Sequence, residues 1–153
     1  MFQPKKGYPK LRGRASDIAG LAHCMFDLWS HYMDQGDQHH LRIRLFLKLN
    51  LELKDILETF SPTYGHTALP EPQYTKAFQG GLSMAQLHKQ LNEHFEATDV
   101  IFFNVTSKTH FAWHSLQFSN CIHPFLIWCY EGESTMRRAQ ILWKSCLHGS
   151  KHW

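Results

Sequence analysis

The chain has 153 residues, is 43% hydrophobic and 14% aromatic, and carries a formal net charge of +3. That length accommodates one core covering roughly two-thirds of the unfolded surface, and the composition excludes a disordered chain. The longest apolar run, around Pro124 to Tyr130, falls far short of the ~20 residues of a membrane-spanning helix. The N-terminus has no apolar stretch of the secretory kind, so an intracellular protein is expected.

The charge is unevenly placed. Residues 1–14 hold Lys5, Lys6, Lys10, Arg12 and Arg14 and no acid, which leaves 11 basic against 13 acidic side chains in the rest. With Pro4, Pro9, Gly7 and Gly13 among them, residues 1–15 read as a flexible basic arm suited to phosphate contacts, or as a solvated terminus that aids solubility. Cys24, Cys121, Cys129 and Cys146 form no CxxC pair. Their spacing suggests no zinc site, and reduced, partly buried thiols are expected.

Residues 16–153 are expected to form a single helical domain. A first helix begins near Ser16 or Asp17 and stops at Gly36. Ile18, Leu21, Ala22, Met25, Phe26, Trp29, Tyr32 and Met33 make its apolar face, and His23, Asp27 and His31 form a solvated polar edge. From Leu41 to Leu53 apolar residues fall on every odd position, which suits a strand, but the segment is Leu-rich and the pattern runs on through Thr59. Helix is chosen, facing the core with Leu45, Phe46, Leu49, Leu53, Ile56, Leu57 and Phe60. Ile43, Leu47 and Leu51 then widen the apolar surface, as in a central helix.

Pro62, Pro70, Pro72, Gly65, Gly80 and Gly81 mark residues 61–81 as a long loop between two helical halves. The next helix is expected at Ser83, with Ser83 and Gln86 as a capping box and Leu82 and Leu87 as a hydrophobic staple. Residues 100–105, VIFFNV, suit either a short strand or a helix. A fourth helix carries Phe111, Trp113, His114, Leu116 and Phe118. Beyond Pro124 the chain is expected to be extended, and a last helix starts between Glu131 and Ser134 and ends at Gly149. The fold class is therefore mainly α, about five helices with a Pro/Gly-rich loop in the middle.

Two sets of residues carry candidate chemistry. His110 and His114 stand four apart, which puts two imidazoles on one helical face as in zinc sites of the HExxH type. The general-base Glu is missing, since Phe111 follows His110, so a hydrolytic zinc site is not expected. Core or edge histidines are the simpler reading, and a histidine-based metal site would need a third ligand such as His23 or Cys121. The second set is Glu131 and Glu133, which either complement the dipole of the last helix or present a carboxylate to a metal.

The residues Lys108-x-His110, His114 and Tyr130-x-x-Glu133-x-x-Met136 resemble the C-terminal portion of CACTA-type transposases. The chain is also similar to transposon-like proteins of unassigned role. It shares with them Trp128-Cys129-Tyr130, Met136, Cys146, Gly149 and the opening YPKLRGRASDIAGLA, with His123-Pro124 where asparagine-proline usually stands. The resemblance implies the helical C-terminal part of a DDE-type, ribonuclease-H-like transposase. In those enzymes three carboxylates hold two divalent ions, Mg²⁺ or Mn²⁺, for strand cleavage and joining. Glu133 matches the last acid, and Glu131 is the neighbour that could substitute for it or orient it. The implied partners are DNA and a missing N-terminal catalytic half, which would make the nucleus the working compartment.

No alternating strands bearing Asp precede the helices, and Asp17, Asp27 and Asp55 fall in helical pattern. A single carboxylate holds Mg²⁺ poorly, so another segment would have to complete the site. Activity from this chain alone is not expected. The alternative is a small helical module without metal chemistry, in which Glu133 caps a helix and Lys5 to Arg14 touch nucleic acid or an acidic partner.

Overall fold

The computed structural model describes residues 15–98, 103 and 107–127. These are mainly helical, and no strand occurs among them. The elements are α1 (Ala15–Tyr32), α2 (Gln38–Thr59), a 3₁₀ turn at Pro62–Tyr64, α3 (Glu71–Glu96), α4 (Ser107–Gln117) and the single-turn α5 (Pro124–Ile127). The helix expected between Glu131 and Gly149 lies outside the described residues, as does the basic arm.

Consecutive helices pack on one another, α1 on α2, α2 on α3 and α3 on α4, and the α2–α3 contact is the most extensive. Short connections favour antiparallel neighbours, and the cross-contacts agree. Trp29 Nε1 donates to the His40 carbonyl at 3.0 Å, and Arg44 Nε donates to Ser30 Oγ at 3.2 Å. Between α2 and α3, His39 meets His94 while Phe46 meets His88. Between α3 and α4, Phe78 meets Trp113 while Tyr74 Oη donates to the Gln117 carbonyl at 3.3 Å. Along α2–α3 and α3–α4 one number rises as the other falls, and along α1–α2 the same holds for Trp29 with His40 and Phe26 with Arg44, whose guanidinium lies 5.6 Å from the Phe26 ring centre.

The helical choice for residues 41–59 holds. Asp37 starts α2 from an extended backbone, and its Oδ1 accepts the His39 N–H at 2.7 Å. That supplies one of the orphan donors of the first turn. The best-buried residues of α2 are Ile43, Leu51 and Leu57. Leu45 is exposed, while Phe46, Leu49, Leu53, Ile56 and Phe60 are half-buried. Neighbours on two sides explain this: α1 covers one flank of α2 and α3 the other.

The face predicted for α1 is only partly covered. Ala22, Phe26, Trp29 and Met33 are half-buried, whereas Leu21, Met25 and Tyr32 are exposed, as is Leu28 outside that face.

The helix expected at Ser83 begins twelve residues earlier, at Glu71, and Ser83 lies inside it, so the capping box and staple do not form. Two physical reasons account for the difference. Pro72 falls in the first turn of α3, where a missing N–H costs nothing, and Pro70 stands extended at the N-cap. Gly80 and Gly81 are helical, and Gly81 is buried where α4 crosses: a Cβ there would come 2.5 Å from Leu116 Cδ1. The second glycine is a contact residue, not a break.

The core cluster joins Leu57, Leu69, Ala77 and Leu116, with Leu53, Ile56, Phe60 and Tyr74 packed against it. Leu69 belongs to the irregular segment after α2, and two backbone bonds hold that segment in place. Leu69 N–H donates to the Ser119 carbonyl and His123 N–H to the Thr67 carbonyl, both at 2.7 Å. Gly65 closes the 3₁₀ turn at φ +86°, a left-handed conformation that favours glycine. On α4, Leu116 is buried and Trp113 half-buried, but Phe111 is exposed, as is Phe118 just beyond the helix end. The stretch after Pro124 is also not extended, because Pro124 opens the turn α5. Of the VIFFNV segment only Phe103 is described, outside any regular element, with its ring against Phe46, His88 and Phe95.

Candidate functional site

The histidine pair on α4 is brought together. His110 and His114 Nε2 lie 3.0 Å apart with rings perpendicular at a centroid distance of 4.4 Å, and both residues are exposed. His114 Nδ1 lies 3.3 Å from Gln117 Oε1. An amide oxygen only accepts, so His114 carries a proton on Nδ1 and presents a lone pair at Nε2. His110 Nε2–H then donates across the 3.0 Å gap. A third ligand does not join them: among the described residues no group of three or more His, Cys, Asp or Glu converges. Cys121 is exposed, its Sγ 3.4 Å from Asn120 Oδ1, and His23 lies on the exposed edge of α1 with Asp27 and His31.

Glu131 and Glu133 lie outside the described residues, as do Lys5, Lys6, Lys10, Arg12 and Arg14. Cys129 and Cys146 do too. The two described thiols, Cys24 and Cys121, are free and exposed and not partly buried as expected. No helix of the described residues is long and apolar enough to cross a membrane.

Three histidine arrangements were not anticipated from the residues. His123 is fully buried at the junction of the 60–70 and 117–127 segments. Its Nδ1 accepts the Phe125 N–H at 3.1 Å, so its Nε2 bears the proton and finds no hydrogen-bond partner. Burial holds the imidazole below its usual pKa, the Leu57 carbonyl opposes that shift, and the nearby His66 adds to it. His88, against Phe46 and Phe103, is likewise depressed by burial. At the α1–α2 turn His39 stacks on His94 at 3.3 Å, and His40 Nε2 sits 3.9 Å from Asp37 Oδ2. The His123 arrangement had only a faint signal in the sequence: a side chain able to accept stands directly before a proline, as an N-cap stands before proline at N1, but histidine is not among the usual capping residues. The His39 and His94 contact had none, because they stand on different helices 55 positions apart.

Between α2 and α3 lies a shallow groove floored by Leu53, Ile56, Ala77 and Gly80 and flanked by Glu52 and Lys76. Its openness and apolar floor give it no convergent polar groups of the kind a small-molecule site uses.

No known family, curated protein or solved structure matches the chain.

Proposed function

We propose that the chain is a helical, nucleic-acid-associated module related to the C-terminal part of DDE transposases, and that it does not cut DNA alone. The observation that carries this reading is the residue pattern from Lys108 to Met136, which pairs a histidine-bearing helix with a later Tyr130-x-x-Glu133-x-x-Met136. The helical build of the described residues supports it, because the portion of a transposase that this pattern resembles is the helical one. Lys5, Lys6, Lys10, Arg12 and Arg14 supply the phosphate contacts. Glu133 serves as one ligand of a Mg²⁺ or Mn²⁺ site that another polypeptide segment must complete, with Glu131 beside it. Asp27 and Asp55, on α1 and α2, belong to different helices and do not form an acidic cluster with any third group.

The test is a titration of the full chain and of Glu133→Gln with duplex DNA in Mg²⁺ or Mn²⁺. Salt-sensitive association that is lost on deleting residues 1–14, without nicking by either protein, is the expected result. Metal-dependent nicking by the wild type and not by Glu133→Gln would overturn the claim of inactivity. DNA binding that survives the deletion unchanged would overturn the role of the arm.

A further inference from the structure

We propose that His110 and His114 form a two-imidazole chelate for a first-row transition ion, copper(II) foremost, with water completing the coordination. The inference stands on α4 alone and does not depend on the transposase reading.

Geometry is the first support. Imidazole nitrogens bind such ions at about 2.0–2.1 Å, so two on adjacent corners of a square stand about 2.9 Å apart, and two in a tetrahedron about 3.3 Å apart. The 3.0 Å between the two Nε2 atoms is close to the square edge. Tetragonal sites with nitrogen and oxygen ligands suit copper(II) and nickel(II), and copper(II) binds the more tightly of the two. Because both residues are exposed, the remaining corners are open to water.

Orientation is the second. Gln117 Oε1 accepts from His114 Nδ1 at 3.3 Å, which fixes the ring and the tautomer, the part outer hydrogen-bond partners play around metal-ligating histidines. In the metal-free protein the Nε2 lone pair of His114 accepts only the exposed His110 N–H, a contact that a metal ion displaces. His110 needs two changes: its proton moves from Nε2 to Nδ1, and its ring turns about χ2 so that its lone pair and that of His114 can meet at a shared point beside the Nε2–Nε2 line.

The chemistry is also bounded. With no third protein ligand among the described residues and Phe111 where a general base would stand, the site binds a metal without a hydrolytic apparatus. His110 and His114 are themselves exposed, so no other described residue roofs the pair.

The probe is copper(II) chloride titrated into the full chain by calorimetry, with glycine as a weak competing chelator and electron paramagnetic resonance on the one-to-one complex. The expected result is a single tight phase showing two imidazole nitrogens. His110→Ala/His114→Ala should lose that phase, and Gln117→Ala should keep the stoichiometry with affinity lower by about tenfold. A matched double variant of exposed histidines on α1, His23→Ala/His31→Ala, should retain it. The single variant His110→Gln should also lose the phase, and it reads the site independently of any loss of helix stability in the alanine pair. Equal binding by the wild type and the His110/His114 variants would overturn the proposal, since copper would then be spread over other members of the 12 histidines.

Discussion

Gly80 and Gly81 are adjacent in α3 yet face different surroundings. A Cβ at Gly80 meets nothing within 4 Å, while at Gly81 it runs into Leu116, itself buried. Gly80→Ala should therefore raise stability by about 0.5–1 kcal/mol, the usual gain from replacing a helical glycine. Gly81→Ala gains the same propensity but overpacks the α3–α4 contact at about 1–3 kcal/mol, for a net loss near 1 kcal/mol. Urea denaturation of the two variants decides the matter, and equal midpoints would remove the contact role of Gly81. His123 poses a second question at this scale, because burial disfavours the charged imidazolium and a proton added at Nδ1 would displace the Phe125 N–H that this atom accepts. Its pKa in the folded state lies below the unfolded value of about 6.5, so the unfolded chain takes up the proton first as pH falls. The stability linked to it is present above pH ~6.5 and is lost as pH falls through the folded value, with His88 acting in the same direction. His123→Asn keeps an acceptor for the Phe125 N–H but cannot titrate. Its melting temperature should lie somewhat below wild type at pH 7.5 and fall less on going to pH 5.5; parallel curves would rule out His123 as a contributor.

At the level of elements, caps and crossings determine what pattern alone leaves open. Asp37 fixes the start of α2 and is held below the usual carboxylate range, first by the His39 N–H, while His40 and His39 add favourable charge. A depressed carboxylate contributes stability above its unfolded value of about 3.9, and that contribution disappears as pH falls through the folded value. Asp37→Ala should lower the melting temperature at neutral pH, whereas Asp37→Asn, still able to cap, should lower it less and lack the acid-side loss. Equal melting of both variants would mean the cap is not made. α2 was legible as a helix because its apolar positions continue past Leu53, where alternation stops, and the surplus Ile43 and Leu51 proved to be its buried residues. The start of α3 was not legible, because Pro70, Pro72, Gly80 and Gly81 signal a break locally. Only the neighbouring α4 explains why a glycine sits inside the helix. α5 was hidden for a related reason, since the residue that caps it is histidine and not one of the commoner capping types.

At the scale of the whole molecule, the helical class could be read from periodicity, whereas the meeting of distant side chains could not. His110 and His114 were visible as a pair because one helical turn joins them, but their orientation by Gln117 depends on rotamers that spacing does not encode. The charge distribution is different again, being a property of sequence that needs no contact to be felt. Under the proposed function, nucleic acid is held by an arm with five cations, and the rest of the chain, with 11 basic against 13 acidic side chains, offers no comparable excess. Neutralising phosphates releases counterions, so the logarithm of the binding constant falls with the logarithm of salt by about 0.9 per phosphate contacted on duplex DNA. Five contacts set an upper slope of about −4.5 for the full chain. Deleting residues 1–14 should bring the slope close to zero and abolish measurable binding at moderate salt, while Lys5→Ala/Lys6→Ala should make the slope shallower by up to about 1.8. Fluorescence anisotropy with a labelled duplex across a salt series measures all three. Two arms of different sequence but equal charge should give the same slope, because phosphate contact carries no base information. A slope that survives the deletion would place the phosphate contacts elsewhere in the chain, and the arm would then be no more than a solvated terminus.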